Sequence, residues 1–488
     1  MEIIWGINAL NHDASITVMR GNEILFAGHS ERYSRVKNDS YLNIDIVADA
    51  MKHGLPDKVV CLDRPWIKKT RQFYAGQYAD LFEQSIKSHL RELGIVAPIH
   101  YVGHHEAHAA AGFYTSSFES AAVIVVDAIG EWDTVSVWLA QGEELIKKSS
   151  VKYPDSVGLL YSAFTHRVGL KPNEEEYILM GMAAYGQPIY KQYIKDTLIA
   201  NMKAPNFELR TNVHKGILNW AEELGEDDYC DIAASIQSLT EDYMIDLAKY
   251  AADITGSENL IIMGGCALNC VANEKIARQN IFKDIWIMPN PGDAGNSLGT
   301  ILAHTRKKAK WITPNLGWNI NKTFNHHAAL EALETDKIIA IANGPAEFGP
   351  RALGNRSLIA DPRGDGIKDK VNDIKKRQRF RPFAPIILEH LAHEYFDMPV
   401  LNSPYMQFTA KCKFPELFPA ICHVDGSSRV QTLSKNDNPQ LYAFLCAFYE
   451  KTGCPILLNT SLNIKGEPLV NTWNDAKRFS EKYKVQVF

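Results

Sequence analysis

Short apolar segments alternate with polar turns over the first 150 residues, a pattern that predicts β-hairpins. One apolar segment spans residues 3–7 and another spans residues 123–126. A polar turn follows each of them, at residues 8–13 and 127–133. A second strand leaves each turn, and a turn that contains glycine begins a third strand. The pattern therefore predicts the same three-stranded unit twice.

The two predicted hairpins share residues at matching positions, which indicates an internal duplication. Aligning Ser15 with Ser136 also aligns Gly21 with Gly142. A duplicated strand, polar hairpin and strand is similar to the arrangement with which actin-like and sugar-kinase-like ATPases hold nucleotide phosphates between two related lobes. Two unrelated hairpins with common turn residues are the alternative interpretation.

Helical periodicity replaces the hairpin pattern in the next part of the chain. Apolar residues recur at helical spacing over residues 228–253, and acidic residues suited to a helix N-terminus precede them. Residues 259–263 then form an apolar run typical of a buried strand, and Gly264 and Gly265 separate it from a helical stretch. Glycines at such a junction let backbone N–H groups approach an anion, so nucleotide phosphate or ribose binding is one interpretation and a tight turn is the other.

The sequence changes character near residue 305 and predicts a second domain. Residues 306–310 are basic, residues 314–321 are rich in turn formers, and a new strand begins at residue 337. Arginine is frequent within the apolar runs that follow. We therefore predict a first domain over residues 1–310, a linker over residues 311–335 and a second domain over residues 336–488.

Composition and charge restrict the class of protein and its partners. The chain has 488 residues, of which 46% are hydrophobic, and a net charge of -5. These values exclude collagen-like and wholly disordered proteins, and they favour small or local partners over long nucleic acid. No apolar run approaches the length of a membrane span, and Met1 leads directly into a predicted strand, so we expect a cytoplasmic protein that does not bind membranes.

Cysteine usage indicates reduced thiols. Eight cysteines in a chain of this length are too sparse for a disulfide framework. Cys266 and Cys270 lie four residues apart, but a single pair of this kind is more often a packing feature than a zinc site.

Two histidines and two aspartates predict a site for a divalent metal ion. His104 and His108 lie four residues apart in an alanine-rich segment, so a helix would place both imidazoles on one face. Asp127 and Asp293 stand where predicted strands end in polar turns. Imidazole and carboxylate ligands with open positions suit an ion that also binds phosphate oxygens. The position of Glu106 does not fit a zinc protease motif, and core histidines with capping aspartates are the structural alternative.

His12 is the candidate proton acceptor. It lies at the tip of the first hairpin and would face the same cleft if the duplication is real. A neutral imidazole can take a proton from a hydroxyl as that hydroxyl attacks an acyl-type carbon. A turn histidine bonded to the backbone is the alternative. Lys37 follows in a polar loop from which a lysine can reach a phosphate group.

Ten sequence blocks, in order, resemble the O-carbamoyltransferases of antibiotic and nodulation-factor biosynthesis over essentially the whole chain. The blocks are NHDAS (11–15), GHHEAHAAAGFY (103–114), VVDAIGEWDT (125–134), MGMAAYG (180–186), GGCALNCVAN (264–273), PGDAGNSLG (291–299), EFGPRALGNRSLIADPR (347–363), FRPFAP (380–385), HVDGSSRVQT (423–432) and LLNTSLNIKGEP (457–468).

The resemblance implies an α/β protein of two domains. The N-terminal domain would have a duplicated actin-like or sugar-kinase-like ATPase fold, similar to the threonylcarbamoyl transferase of tRNA modification. The C-terminal domain would be a smaller α/β domain similar to YrdC. The C-terminal domain would join carbamoyl phosphate to ATP and leave carbamoyl-adenylate, with release of pyrophosphate and phosphate. The N-terminal domain would then transfer the carbamoyl group to an acceptor hydroxyl, and AMP would leave.

The resemblance also implies roles for particular residues. The metal ligands would be His104, His108, Asp127 and Asp293. The catalytic residues would be His12, which acts in the transfer, together with Arg351 and Arg381. The nucleotide would contact Lys37, Gly264, Gly265, Asn269 and Asp293. Carbamoyl phosphate would contact Arg351, Arg356, Lys375, Arg377, Arg381, Arg429, Asn459 and Ser461.

The expected cofactor is a divalent metal ion, with Fe²⁺ favoured over Mn²⁺ and Zn²⁺, and ATP with Mg²⁺ is the expected co-substrate. The acceptor hydroxyl is expected on a sugar or another small metabolite, and the chain could form a homo-oligomer. A hydroxymethylated nucleotide or nucleobase, threonylcarbamoyl transfer to tRNA, and a regulatory protein without turnover are the alternatives. Ile178 and Gln378 depart from the family pattern, and Ile178 puts one nucleotide contact in doubt.

Overall fold

The chain forms two compact units in a computed structural model that describes residues 1–364 and 366–488, apart from the side chain of Asp80. Unit one comprises residues 1–10, 17–24 and 54–311, and unit two comprises residues 11–16, 25–53 and 312–488. The sequence predicted a first domain that contains all of residues 1–310. Two segments near the N-terminus thus belong to a different unit from the one expected.

Two five-stranded sheets in the first 290 residues share one strand order, which confirms the predicted duplication. The orders are β3-β2-β1-β4-β5 and β8-β7-β6-β11-β12. In both sheets two parallel pairings follow the central strand, β1 with β4 and β4 with β5 in the first, and β6 with β11 and β11 with β12 in the second. The strands are β1 (Ile3–Asn8), β2 (Ser15–Arg20), β3 (Glu23–His29), β4 (Lys58–Leu62), β5 (Ile99–Val102), β6 (Ser120–Gly130), β7 (Asp133–Gln141), β8 (Glu144–Lys152), β11 (Asn259–Met263) and β12 (Asp284–Trp286). A separate two-stranded sheet contains β9 (Ile199–Asn201) and β10 (Glu208–Leu209).

Helices connect and cover these strands, and α9 and β11 form where the sequence predicted a helix and a buried strand. Helix α5 (His104–Thr115) packs closely on α11 (Asn296–Thr305), and glycine at position 299 makes this approach possible. A Cβ atom at Gly299 would lie 2.2 Å from the carbonyl oxygen of Ala107. The helices up to residue 311 are α1 (Ser30–Ser34), α2 (Ile44–Met51), α3 (Pro65–Tyr74), α4 (Ile86–Glu92), α5 (His104–Thr115), α6 (Val157–Arg167), α7 (Glu176–Met182), α8 (Lys191–Leu198), α9 (Tyr229–Thr255), α10 (Cys270–Arg278) and α11 (Asn296–Thr305). Short 3-10 helices span Ala79–Phe82, Ala183–Tyr185, Glu226–Asp228, Gly265–Leu268 and Asp293–Gly295.

Unit two is built on a mixed five-stranded sheet with the order β14-β16-β22-β17-β21. Apolar side chains of this sheet and of the surrounding helices form its core. The remaining strands are β13 (Asn315–Ile320), β14 (Ile338–Ala342), β15 (Gly344–Glu347), β16 (Arg356–Ala360), β17 (Ala384–Leu388), β18 (Phe396–Asp397), β19 (Thr409–Cys412), β20 (Ser427–Arg429), β21 (Gln431–Leu433) and β22 (Ile456–Ser461). The helices are α12 (His326–Asp336), α13 (Ile367–Lys375), α14 (Ala392–Tyr395), α15 (Pro439–Thr452) and α16 (Trp473–Tyr483), with a 3-10 helix at Glu389–Leu391.

The segment assigned to a linker is folded. Residues 312–335 belong to unit two and contain β13 and most of α12. Strand β13 pairs with β15, so its turn-rich sequence is part of a small sheet. Within the described residues, no helix is both long enough and apolar enough to span a membrane.

Candidate functional site

Two helices and one strand of unit one bring the four predicted metal ligands together. His104 and His108 lie one turn apart on α5, which starts at His104. Asp127 lies in β6 where its pairing with β7 is irregular between Val126 and Gly130, and such an irregularity redirects a side chain. Asp293 begins the short 3-10 helix that continues into α11. We call these four residues the His/Asp group.

The ligand atoms of the His/Asp group all lie within 4.8 Å of one another. Nε2 of His104 is 3.3 Å from Oδ2 of Asp127 and 3.1 Å from Oδ1 of Asp293. Nε2 of His108 is 3.2 Å and 3.3 Å from the same two oxygens. The two Nε2 atoms are 3.2 Å apart. Both histidines and Asp127 are buried and Asp293 is partly exposed, so the group forms one compact, mostly buried cluster.

Residues that the sequence analysis did not single out orient this group. Nδ1 of His104 lies 2.9 Å from Oδ1 of the buried Asp63, at the end of β4. Nδ2 of Asn296 lies 2.9 Å from Nε2 of His108. A carboxylate on the far nitrogen of an imidazole fixes its tautomer and orientation. Asp63 is 41 residues from His104, and no motif links the two in sequence.

A glycine allows the strand and the helix to approach each other. A Cβ atom at Gly130 would lie 2.5 Å from Cδ2 of His104 and 2.6 Å from Cδ2 of His105. Any larger residue would push β6, with Asp127, away from α5. His105 itself is turned elsewhere, and its Nδ1 lies 2.7 Å from Oγ of Ser136.

The charges within the His/Asp group stabilise one another. Burial acts to lower the pKa of His104, but the carboxylates of Asp293 and Asp63 outweigh it and hold that pKa well above its ordinary value. Burial likewise acts to raise the pKa of Asp127, but hydrogen bonds from His104 and His108 hold it well below its ordinary value. The group therefore combines ionised carboxylates with two imidazoles in a buried setting.

These residues fit a divalent metal ion. Neighbouring ligands on one ion, each bonded at about 2.1 Å, lie roughly 3 Å apart, which is close to the separations within the group. Two imidazoles and two carboxylates suit iron, manganese or zinc. Nδ1 of His108 is buried and has no hydrogen-bond partner among the described residues. That arrangement is consistent with a ring whose Nε2 is committed to the cluster.

The predicted nucleotide-binding glycines lie against the same cluster. Gly264 follows β11 with a φ of 89°, and a Cβ atom there would lie 2.3 Å from the carbonyl oxygen of Val126. The amide nitrogen of Gly265 lies 3.4 Å from Oδ1 of Asp127. Asn269 caps α10 through Ala272, and its side chain exchanges hydrogen bonds with Gln237. Gly265 thus contacts Asp127 of the His/Asp group, Gly264 lies against the backbone of the preceding Val126, and Asn269 anchors the turn that follows them.

The predicted transfer histidine and the predicted nucleotide lysine belong to unit two. Nδ1 of His12 lies 2.8 Å from Oδ2 of Asp13, and 42% of the His12 side chain is exposed. Asp13 has a φ of 59°, which places this pair in a tight turn. Lys37 follows α1 and is half-buried. Burial raises the pKa of the half-buried Glu31 of that helix, and the charge of Lys37 acts against this shift.

Candidate residues of unit two lie at the strand ends along one edge of its five-stranded sheet or in the loops that adjoin those ends. Strand β22 is antiparallel to β16 and β17, and β17 is parallel to β21. The carboxyl end of β22 therefore lies beside the amino ends of the other three strands. Candidate residues at these ends or in the adjoining loops are Arg351, Arg356, Arg381, Arg429, Asn459 and Ser461. We call the cationic residues Arg351, Lys375, Arg377, Arg381 and Arg429 the basic edge.

Lys375 joins the basic edge through Ser461. The Lys375 ammonium is buried and donates to the carbonyl oxygen of Ser461, to its Oγ at 3.0 Å and to Oδ1 of Asn463 at 2.6 Å. Burial lowers its pKa well below the ordinary value, and the charges of Arg377 and Arg381 lower it further. Lys375, Arg377 and Arg381 therefore lie close enough for their charges to act on one another, and a bound anion would relieve that repulsion.

Arg356 has a structural environment that the resemblance did not reveal. Its side chain is fully buried, and every guanidinium nitrogen donates to a main-chain carbonyl group. The acceptors belong to Asn471, Asn343, Gly344, Asn355 and Trp318. These contacts stabilise the start of β16 and use the donors that a phosphate would need, so we leave Arg356 out of the basic edge.

Family models match most of the chain. The model described as "Carbamoyltransferase N-terminus" matches residues 61–302, and the one described as "Carbamoyltransferase C-terminus" matches residues 330–488. The chain belongs to the carbamoyltransferase family. It is a carbamoyltransferase enzyme, as the resemblance implied.

Several relatives of this carbamoyltransferase align with nearly all or most of it. An uncharacterized protein of Synechocystis is 33% identical over 98% of this chain and 94% of its own length. Nodulation protein NolO of Bradyrhizobium diazoefficiens is 31% identical over 77% of this chain and 75% of its own length. The 3'-hydroxymethylcephem-O-carbamoyltransferase of Streptomyces clavuligerus is 27% identical over 97% of this chain and 95% of its own length.

Two positions at which this carbamoyltransferase departs from the expected pattern lie in its interior. Ile178 is buried in α7, where it serves as an apolar packing residue. Oε1 of Gln378 is buried without a hydrogen-bond partner among the described residues. All eight cysteines are free thiols, including Cys266 and Cys270.

Proposed function

We propose that this carbamoyltransferase uses carbamoyl phosphate and ATP to carbamoylate a hydroxyl group of a sugar or another small metabolite. The observation that carries the proposal is the contrast between a cationic edge in unit two and a cluster of imidazoles and carboxylates in unit one. The cationic edge suits a small dianion, and the cluster of imidazoles and carboxylates suits a divalent ion that binds a phosphate group.

The basic edge would form carbamoyl-adenylate, the activity that we assign to a YrdC-like domain. Water cleaves carbamoyl phosphate to carbamate and phosphate, and a carbamate oxygen then attacks the α-phosphorus of ATP bound with Mg²⁺. Pyrophosphate leaves with the electron pair of the broken P–O bond. Guanidinium groups such as those of Arg351 and Arg381 stabilise the negative charge of the reactants and of the transition state.

Unit one would bind the adenylate for transfer, in keeping with an actin-like ATPase fold. His104, His108, Asp127 and Asp293 would hold a divalent ion, with Fe²⁺ favoured, and that ion supplies Lewis-acid stabilisation of phosphate oxygens when it is bound. The amide groups at Gly264 and Gly265 would approach the nucleotide.

His12 would accept the proton of the attacking hydroxyl. Asp13 accepts a hydrogen bond from Nδ1–H of His12, which leaves Nε2 as the basic nitrogen. The hydroxyl oxygen attacks the carbamoyl carbon, and AMP leaves. A relative whose printed name includes a hydroxymethyl acceptor supports a primary hydroxyl as the site of attack.

The proposal predicts separable half-reactions. The wild-type protein with carbamoyl phosphate and Mg-ATP should release pyrophosphate and form carbamoyl-adenylate. Arg351→Ala should lose this activity, whereas His12→Ala should retain it and lose transfer to hydroxyl acceptors in a mass-spectrometric screen. Absence of pyrophosphate with the wild-type protein, or loss of the same step in both variants, would contradict the proposal. A carbamoylated nucleoside or tRNA in the screen would replace the sugar-type acceptor.

A further inference from the structure

A buried carboxylate accepts hydrogen bonds from the backbone of the loop that contains Arg351. Glu347 ends β15 and is 1% exposed. Its Oε1 accepts hydrogen bonds from the backbone amides of Leu353 at 2.8 Å, Asn355 at 2.9 Å and Arg356 at 3.2 Å. One oxygen atom thus fixes the returning half of the loop over residues 348–355.

Other side chains hold the same loop on both sides of Arg351. The buried Arg32 donates to the carbonyl oxygens of Glu347 and Gly349, the latter at 2.7 Å. Nδ2 of Asn459 donates to the carbonyl oxygen of Ala352 at 2.9 Å. The backbone is therefore fixed at residues 349 and 352, directly before and after Pro350 and Arg351.

We propose that Glu347 is a positioning residue, which holds the Arg351 loop in the conformation that binds carbamoyl phosphate. This inference rests on the proposed function, because it takes Arg351 as the anion-binding group. A loop without regular structure loses conformational entropy when it is ordered by a bound ligand. A loop that is already fixed does not lose this entropy on binding, so its affinity is higher. Glu347 acts through backbone amides and is not assigned a contact with substrate.

The two oxygens of Glu347 allow its hydrogen bonds to be tested apart from its charge. Oε2 is buried and accepts no hydrogen bond from any described residue, so the loop depends on Oε1. The amide oxygen in Glu347→Gln can accept the same three bonds, although the charge beside Arg32 and Arg356 is lost. Glu347→Ala removes both the hydrogen bonds and the charge.

Asp361→Ala is the matched control. Asp361 is also buried in unit two, and its Oδ1 accepts hydrogen bonds from the backbone amide of Arg363 at 3.1 Å and from Nε of Arg363 at 2.9 Å. It follows the far end of β16 from the Arg351 loop. Its loss should lower the melting temperature without changing that loop.

The experiment measures KM for carbamoyl phosphate by pyrophosphate release, melting temperature, and hydrogen–deuterium exchange of peptides covering residues 348–356. Glu347→Ala should raise KM on the order of tenfold to a hundredfold and speed exchange at residues 353–356. Glu347→Gln should stay within about threefold of wild type in KM, with slow exchange. Asp361→Ala should leave both readouts unchanged.

Several outcomes would overturn the inference. If Glu347→Gln is impaired as much as Glu347→Ala, the charge matters and the loop hydrogen bonds do not. If Asp361→Ala raises KM equally, the effect is general destabilisation. Should Glu347→Ala fail to fold, Arg32→Lys, which cannot bridge both carbonyl groups, should raise KM, and an unchanged KM would count against loop positioning.

Failure of the proposed function has a different signature. A wild-type protein that releases no pyrophosphate would contradict the function and, with it, the role of the loop in binding carbamoyl phosphate. Hydrogen–deuterium exchange would still decide whether Glu347 fixes the loop, because that readout does not depend on turnover.

Discussion

The His/Asp group of unit one and the basic edge of unit two handle charge in opposite ways. The His/Asp group mixes two imidazoles with two carboxylates; burial acts to raise the pKa of Asp127, but hydrogen bonds from His104 and His108 hold it well below its ordinary value. In the basic edge every charged member is a cation, and Lys375 is held by neutral oxygens of Ser461 and Asn463. The first arrangement is suited to a cation and the second to an anion, which is why we assign adenylate binding to the His/Asp group and carbamoyl-adenylate formation to the basic edge.

Removing one imidazole of the His/Asp group should have the largest effect, on both metal content and acceptor carbamoylation. His108 is fully buried with Nε2 close to both carboxylates, so His108→Ala removes one of the two imidazoles that contact them and deletes one ligand. We expect loss of bound metal by elemental analysis and loss of acceptor carbamoylation, whereas pyrophosphate release by the basic edge continues.

His105→Gln is the control for that experiment. His105 is buried on the same helix but pairs with Ser136 outside the His/Asp group, so this variant should keep its metal. Metal loss in both variants would mean that α5 is simply disrupted. Loss of pyrophosphate release in His108→Ala would contradict the separation of carbamoyl-adenylate formation from the His/Asp group.

The second comparison is between two arginines of unit two. Arg356→Met removes a donor from five main-chain carbonyl groups, of which that of Asn355 still accepts from the amide of Asn343, and each buried group left unsatisfied costs about 1–3 kcal/mol. We expect a loss of more than about 3 kcal/mol in the free energy of unfolding, measured by denaturant titration. Arg351→Met, at a half-buried position, should lose pyrophosphate release with a change below about 1 kcal/mol. Equal destabilisation of the two variants would contradict the structural role of Arg356.

Particular elements and residues show what the sequence predicts and what only the fold reveals. Strand and helix periodicity predicted the duplicated hairpins, β11 and α9, because each depends on local patterns of apolar residues. Residue type predicted the four members of the His/Asp group, because imidazoles and carboxylates are common metal ligands. Arg356 and Arg351 look alike in one motif, however, and only the fold shows that the former is committed to carbonyl groups.

Long-range partners were missed for the same reason. Asp63 is one acidic residue at the end of a strand, and nothing nearby in sequence marks its contact with His104. The placement of residues 11–16 and 25–53 in unit two depends on tertiary packing, whereas the sequence shows only continuity with their neighbours. Distant hydrogen bonds and unit membership therefore required the structure.

Replacing Asp63 should have an effect of intermediate size on metal affinity. Asp63→Asn keeps an oxygen near Nδ1 of His104 but removes the charge that supports the ring. Loss of such a supporting carboxylate lowers metal affinity by about 10–100-fold, which a competition titration can measure. Asp133→Asn, which removes the partner of Lys147 elsewhere in unit one, should leave the affinity unchanged. An unchanged affinity in Asp63→Asn would restrict the His/Asp group to its four direct members.

The smallest expected effect is that of Lys308→Met on the free energy of unfolding. This substitution tests whether the stability of one end of α5 is independent of metal binding at its other end. Lys308 donates to the carbonyl oxygens of Phe113 and Phe118, both at 2.7 Å, and lies over the Phe113 ring. Lys308→Met should lower the free energy of unfolding by about 1–2 kcal/mol, whereas the exposed Lys310→Met should not. Metal content should stay unchanged, because His104 and His108 lie in the first two turns of the helix and are fixed by Asp63 and Asn296. If Lys308→Met also released the metal, the ligands would depend on the far end of α5, and the His/Asp group would be less rigid than its contacts indicate.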